Sequence, residues 1–220
     1  MNLIKLAKLI NYSFQYVTKT SELYHIDESH SLRHSMDVFH YANEIYQSEI
    51  NQSEFFLSPF LQEQQKIIFC SAILHDMCDK KYMDESVGVA EMKKYMEGQV
   101  TEEELDIIIK IVTTMSYSTV KKNGYPDLGI YTLAYHIVRE ADLLAAYDIE
   151  RCIIYKMKQF DYEYLDALQE MKTIFESRIL LYIQDNLFVT EYSKKKAKEL
   201  HNQCIIKLEE IDKIYFSDNK

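Results

Sequence analysis

The chain has 220 residues, a formal net charge of -10, 27% charged residues and 47% hydrophobic residues. This length is ample for one domain with a large core, and the negative charge argues against non-specific binding to DNA or RNA, which requires a basic surface. The chain has only four Gly and two Pro, too few for the many tight turns of a β-sandwich or β-barrel. Composition therefore favours an all-α fold.

Hydrophobic residues recur at helical spacing along most of the chain. Amphipathic helices are predicted over residues 2–18 and 31–48, with a polar, irregular stretch at 19–30 between them. Phe55-Phe56-Leu57 forms a short apolar patch. Ser58-Pro59 is typical of a helix start, and the helix beginning there is predicted to run through to His75-Asp76. A capping box at Thr101 opens another helix. The other predicted helices span 85–97, ended by Gly98, then 128–147, 150–183 with a break near 159–161, and 191–213, capped by Thr190.

Two stretches between these helices are polar. Lys121 to Asp127 contains Asn, Gly and Pro and is predicted to be a loop, with the potential to move near a site. The basic run Lys194 to Lys198 is interpreted as a solvated helix face.

The four cysteines form no Cys-x-x-Cys pair, and free buried thiols in a reducing compartment are expected. The sequence shows neither the pattern of a signal peptide nor an apolar stretch of transmembrane length. A cytoplasmic location without a membrane partner is the expectation.

One stretch is apolar almost throughout and ends in two polar residues. Residues 67–74 read Ile-Ile-Phe-Cys-Ser-Ala-Ile-Leu and lead directly into His75 and Asp76. Such a run is typical of a central buried helix, and burying a His-Asp pair is unfavourable unless the pair has partners.

Two further ionisable residues, His34 and Asp142, lie on the apolar stripes of their own predicted helices. Taken singly, such a His is usually a hydrogen-bonded core residue and such an Asp a cap or an ion pair. Together with His75 and Asp76 they make two imidazoles and two carboxylates, whose burial a divalent cation would offset. Mixed nitrogen and oxygen ligands suit Mn, Fe, Zn, Co or Ni, and Mg less well.

The order His34, His75-Asp76, Asp142 resembles the H…HD…D signature of the HD-domain metal-dependent phosphohydrolases. The segments 34–42, 71–77 and 138–145 are similar to the three motifs of that family. Asp27-Glu-Ser-His30 is similar to an entry motif of some subgroups. The resemblance covers residues 25 to 150.

The resemblance implies an HD-domain helical bundle of about five core helices around one metal ion. The whole chain, 1–220, would be a single domain, in which residues 25–150 bear the motifs and residues 161–220 add a C-terminal helical layer. The metal ligands would be His34, His75, Asp76 and Asp142.

The implied activity is hydrolysis of a phosphate ester of a small substrate, with a nucleotide as the first candidate. Asp76, Lys80 and His30 are the candidate catalytic residues; His30 would ligate the metal, hold a water molecule or act as a cap. Lys80 is the preferred cation for the transition state, and the other candidates are Lys81, Arg33 and Arg139. Members with two metals need further histidines. The available His136 is predicted to face away from Asp142, which favours a single metal.

Two other hypotheses remain open, and a third is disfavoured. A regulatory module would bind metal and nucleotide without turnover, and a purely structural fold would hold no stoichiometric metal. An oxygenase on the same fold would need a second metal and more histidine ligands. Neither the oligomeric state nor the identity of the substrate follows from the sequence.

Overall fold

The computed structural model describes residues 3–52 and 58–216, without the side chain of Ser58. Within these ranges the chain forms helices and turns but no strand, so the predicted all-α fold is confirmed. The helices are α1 (Leu3–Tyr24), α2 (Leu32–Gln52), α3 (Ser58–Glu63), α4 (Gln65–Leu74), α5 (Glu85–Met96), α6 (Glu102–Thr114), α7 (Tyr117–Asn123), α8 (Thr132–Ala145), α9 (Ile149–Phe160), α10 (Tyr164–Ser177) and α11 (Glu191–Tyr215), with 3₁₀ turns at Gly129–Tyr131 and Ile179–Leu181. None of these helices is long and apolar enough to cross a lipid bilayer.

Helix α4 is the centre of the molecule, as its apolar sequence predicts. All eight residues from Ile67 to Leu74 are buried, and the helix packs against α1, α2, α6 and α8. A helix that is apolar on every side is stable only when other helices surround it. The end of α4 consequently lies inside the bundle, where it presents His75 and Asp76.

The predicted single helix from Ser58 to Asp76 is wrong in two respects. It is interrupted at Gln64, between α3 and α4, where the buried Gln64 side chain donates a hydrogen bond to Ile130 O at 3.0 Å. It also ends at Leu74, and a series of tight turns follows, opened by the hydrogen bond from Met77 N to Leu74 O. The apolar patch at 55–57 lies outside the described residues. The predicted cap depends on the side chain of Ser58, which is outside the described part of the structure as well.

Helix α1 extends six residues past its predicted end, into the stretch that was expected to be irregular. It ends where His25 adopts a positive φ of 53°. The predicted loop from Lys121 is also helical in its first part. Ser116 caps α7 by accepting the N–H of Thr119, and Gly124, with φ 75°, ends the helix.

Several predicted helix ends are confirmed. The capping box at Thr101 has both of its reciprocal hydrogen bonds, Thr190 accepts the N–H of Ser193 at the start of α11, and Gly98 has a positive φ just after α5. The predicted break near 159–161 occurs at Asp161, which adopts the left-handed conformation.

The C-terminal helices are tied to α8 by a buried carboxylate. Glu140 accepts the N–H groups of Val189 at 2.7 Å and Thr190 at 3.2 Å, at the start of α11. Burial raises the pKa of Glu140, although these hydrogen bonds oppose the shift. The start of α11 is thus fixed to the helix that carries Asp142, two residues further along.

Candidate metal centre

Three parts of the fold bring four ionisable side chains together. His34 lies in the first turn of α2, His75 and Asp76 follow the last turn of α4, and Asp142 lies near the end of α8. The ligand atoms of His34, His75 and Asp142 all lie within 4.8 Å of one another. Asp76 Oδ2 lies 3.5 Å from His34 Nε2 and 3.2 Å from His75 Nε2. The structure therefore gathers all four residues that the sequence singled out as ligands.

The nitrogen atoms of the two histidines face each other. His34 Nε2 and His75 Nε2 are 3.1 Å apart, and Asp142 Oδ1 lies 3.3 Å from His34 Nε2. His75 Nδ1 is 2.9 Å from Ala72 O, to which only a protonated nitrogen can donate. In the neutral ring, this bond leaves the lone pair of Nε2 directed into the cluster. Metal-binding histidines are commonly oriented in this way, by a hydrogen bond from the ring nitrogen that does not bind the metal.

The electrostatics of the cluster favour a positive charge at its centre. Burial alone would lower the pKa of His75, but Asp76 and then Asp142 outweigh it and raise the pKa to about 9. Burial lowers the pKa of His34 to about 4. Burial would raise the pKa of the two carboxyls, yet contacts with His34 and His75 lower both.

The donor set fits a divalent cation. It offers two imidazole nitrogens and two carboxylate groups, a combination that suits Mn, Fe, Co, Ni or Zn. Asp76 Oδ2 is buried and accepts no well-directed hydrogen bond from a described residue, although both rings are close. The ligand atoms of His34, His75 and Asp142 lie within 4.8 Å of one another with Asp76 Oδ2 beside both rings, and a central cation would replace the His34–His75 hydrogen bond.

His30 lies beside this cluster in a polar network. Its ring is 6.2 Å from that of His34, and Ser29 Oγ and Tyr82 OH lie 2.6 and 3.0 Å from its Nδ1. Lys81 Nζ is 3.1 Å from its Nε2. Burial lowers the pKa of His30 to about 3. A neutral His30 accepts a hydrogen bond from Lys81, so it is placed to hold that lysine.

The two neighbouring lysines have different surroundings. Lys80, the preferred sequence candidate, is on the rim of the cavity with its side chain 74% exposed, and it pairs with Glu85 at 3.1 Å. Lys81 is held between His30 and Asp79, 3.1 Å from each. Burial would lower the pKa of Lys81, but Asp76 and Asp79 outweigh it and raise the pKa. Lys81 is therefore a protonated cation that interacts with the candidate ligand Asp76.

Three other sequence candidates lie away from the cluster. Arg33 is 78% exposed and pairs with Asp37. Arg139 is buried but donates to Leu187 O and stacks on Tyr125, on the side of α8 that faces the C-terminal layer.

His136 is the third sequence candidate that lies away from the cluster. Its ring packs against Tyr125 and Tyr135, and its nearest carboxylate is Glu140, at 3.9 Å. It does not join the cluster of metal-ligating atoms among the described residues.

The cluster opens into a cavity of about 570 Å³, within the range of small-molecule sites. Its lining also contains residues that the sequence analysis did not single out: Arg151 on α9, Arg178 just after α10, and the aromatic rings of Tyr117, Tyr155 and Tyr182. None of these residues belongs to a motif. The only sequence signal was the helical pattern of 150–183, which does not indicate what those helices contact.

Comparisons with family models and with curated proteins found no match. Among solved structures, the chain is similar to the crystal structure of Bacillus subtilis YpgQ, with a TM-score of 0.65 and 19% identity over 96% of this chain and 98% of that one. It is also similar to a protein of Lactobacillus plantarum, with a TM-score of 0.68 and 16% identity over 97% of both chains. At such low identities the similarity shows a shared fold alone. Membership of the HD-domain family stays a prediction.

Proposed function

We propose that this protein is a metal-dependent phosphohydrolase that cleaves a phosphate ester of a small substrate, with a nucleotide as the first candidate. The observation that carries the proposal is the convergence of two imidazoles and two carboxylates on the wall of a cavity of small-molecule size. His34, His75, Asp76 and Asp142 would hold the cation. A bound divalent cation would supply Lewis acidity, which polarises a phosphoryl oxygen and lowers the pKa of water.

The side chains around the cluster would orient the substrate and balance its charge. Lys81 carries donors that can contact a phosphoryl oxygen, and its positive charge would stabilise the negative charge of the transition state. Asp79 and His30 hold its ammonium group in place. Tyr82 OH lies 3.0 Å from His30 Nδ1 and donates a hydrogen bond to Asp27 at 2.8 Å, so these two residues orient His30. His30 is thus a positioning residue in this proposal.

The remaining wall suits an organic group beside the phosphate. Tyr117 and Tyr155 line the cavity and are half-buried, so they offer flat apolar surface together with hydroxyl groups, whereas the ring of Tyr182 is fully buried behind them. Aromatic rings of this kind can pack against a nucleobase or another planar group. This observation favours a nucleotide over a simple sugar phosphate.

The first test measures metal content and phosphate release on the same preparations. Wild type, His34→Ala and His40→Ala would be incubated with Mn, Co, Ni or Mg and a panel of nucleotides and sugar phosphates. His40 is the matched control because it lies on the same helix but is exposed, where it pairs with Glu44. We expect wild type and His40→Ala to bind about one equivalent of metal and to release phosphate, and His34→Ala to do neither.

The other outcomes separate the alternatives. Stoichiometric metal and thermal stabilisation by nucleotide, without phosphate release from any substrate, would support a binding module and contradict the enzyme. Absence of metal from wild type under all conditions would contradict the metal centre itself and leave a fold held by hydrogen bonds.

A further inference from the structure

The cavity has a second charged region, on the wall made by the C-terminal helices. Arg151 is on the first turn of α9, and Arg178 follows the last residue of α10. Both line the same cavity as His75, Asp76 and Asp142. The C-terminal helices are therefore part of the site.

Each carboxylate on the cavity wall already has a partner. Glu85 pairs with Lys80 and Asp79 with Lys81, both at 3.1 Å. Asp148 accepts backbone N–H groups in the first turn of α9. The two remaining carboxylates belong to the candidate metal centre, where the imidazoles and a cation would neutralise them.

The two arginines, in contrast, are not neutralised. Among the described residues, no carboxylate oxygen lies within 4 Å of either guanidinium group, although Arg33 forms such a pair on the surface. The whole cavity lining has five carboxylates and four lysines and arginines, so the two arginines are a local cationic region rather than part of a positively charged cavity. Two neighbouring cations without carboxylate partners attract anions locally.

Both side chains are also fixed in orientation. Arg178 Nε donates to Tyr182 OH at 3.1 Å, and its guanidinium lies over the ring of Tyr117, 4.3 Å from the centroid. An NH1 group of Arg151 donates to Ser29 O at 3.1 Å. Each guanidinium has five N–H donors, so most of them stay free for a ligand. A planar donor group held in this way matches the oxygen atoms of a phosphate.

We propose that Arg178 and Arg151, neither of which is a metal-ligand candidate, form an anion subsite that binds a second phosphate group of the substrate. The substrate would then be a small molecule with at least two phosphate groups: one at the metal centre and one at the arginines. This inference deepens the proposed function, on which it rests, and it makes Arg178 a specificity-determining residue. It also assigns a role to the C-terminal layer.

The test measures binding of inorganic pyrophosphate to the full chain by calorimetry in excess EDTA, where no metal takes part. Wild type, Arg178→Gln, Arg178→Lys, Arg151→Gln and Arg33→Gln would be compared, and each would first be shown to unfold cooperatively. Arg33→Gln is the matched control, since it removes the same charge from an exposed site outside the cavity. We expect saturable binding by wild type, at least about tenfold weaker binding by Arg178→Gln and Arg151→Gln, and a change of about twofold or less in Arg33→Gln.

Arg178→Lys should fall between wild type and Arg178→Gln, because it keeps the charge but loses the planar donors. The subsite is overturned if wild type shows no saturable binding, or if the cavity variants bind as tightly as wild type. Equal weakening in Arg33→Gln would also overturn it, because the effect would then be one of net charge. Because this assay contains no metal, its result does not depend on whether the earlier experiment finds a bound metal ion.

Discussion

At the scale of single residues, the turn after α4 gives two adjacent lysines different surroundings. Lys80 and Lys81 are adjacent in the chain, yet one points to the rim and pairs with Glu85 while the other lies between Asp79 and His30. Consecutive residues in a series of tight turns project in different directions. Neighbouring side chains of identical chemistry therefore have different electrostatic environments.

This difference predicts unequal effects on catalysis. Lys81→Met should lower the kcat for phosphate release by about a hundredfold, the usual effect of removing one electrostatic contact to a transition state. Lys80→Met removes the same charge from the rim and should change kcat by about threefold or less. Steady-state kinetics on the best substrate of the panel provides the measurement. Equal losses in the two variants would show that net charge, rather than the position of Lys81, is what matters.

Asp27 is a second residue whose environment predicts a measurable effect. Burial would raise the pKa of Asp27, but hydrogen bonds from Ser29, Gln159 and Tyr82 outweigh it and lower the pKa. A lowered pKa in the folded state means that the ionised group stabilises the fold above its unfolded pKa, near 4, and that this stability is lost as pH falls through the folded pKa.

Asp27→Asn should therefore destabilise the protein by about 1–2 kcal/mol at pH 7. The difference from wild type should begin to shrink below about pH 4, where the unfolded chain becomes protonated, and should be lost as pH falls through the lower pKa of the folded state. Chemical denaturation of both proteins between pH 3 and pH 7 measures it. A difference that stays constant over this range would mean that the charge of Asp27 contributes nothing.

At the scale of elements, α5 packs closely on the turn that follows α4. A Cβ atom added to Gly88 would lie 2.7 Å from Met83 Sδ, 2.8 Å from Cys78 Cβ and 2.9 Å from Cys78 Cα. The last of these contacts is to backbone, which cannot move aside as a flexible side chain can. The absence of a side chain at Gly88 therefore lets α5 pack on the turn that carries Lys81.

The two effects of Gly88→Ala have opposite signs. Helix propensity alone would stabilise α5 by up to about 1 kcal/mol, whereas overpacking should cost about 1–3 kcal/mol. Because the contact involves backbone, we expect net destabilisation and a drop in phosphate release. Thermal unfolding together with the kinetic assay tests this. A raised Tm with unchanged activity would show that α5 can shift without disturbing the turn.

At the scale of the whole molecule, the dense core protects the cysteines. All four are free, and Cys70, Cys78 and Cys204 are buried while Cys152 is half-buried. Burial raises the pKa of Cys70 and Cys78 to about 12, and of Cys152 and Cys204 to about 11. The thiolate, which is the reactive form, is therefore scarce at neutral pH.

Folded protein should consequently react slowly with Ellman's reagent at pH 8, with Cys152 the first to react, whereas the unfolded chain should release four equivalents rapidly. The absorbance of the chromophore released by the reagent, measured with and without guanidinium chloride, gives both rates. Mass spectrometry identifies the cysteine that is modified first. Rapid reaction of all four thiols in the folded state would mean that the core opens far more readily than its burial indicates.

The sequence by itself determined the features that depend on local periodicity. The apolar run of 67–74 predicted a buried central helix, and the positions of His34 and Asp142 on apolar stripes predicted that both side chains face the core. Cap residues such as Thr101 and Thr190 predicted helix starts, since they bond to N–H groups only two or three residues away. Each of these inferences needs only the 3.6-residue repeat and the chemistry of neighbouring residues.

Only the tertiary structure decided the features that depend on contacts between distant residues. The hydrogen bond from Gln64, at the break between α3 and α4, to Ile130 and the contacts with His30 that distinguish Lys81 from Lys80 join residues far apart in the chain. Arg178 reaches the cavity because α10 packs on α9, more than a hundred residues after the first metal-ligand candidate. Helical periodicity says which face of a helix is apolar, but the packing of all the helices together determines what that face meets.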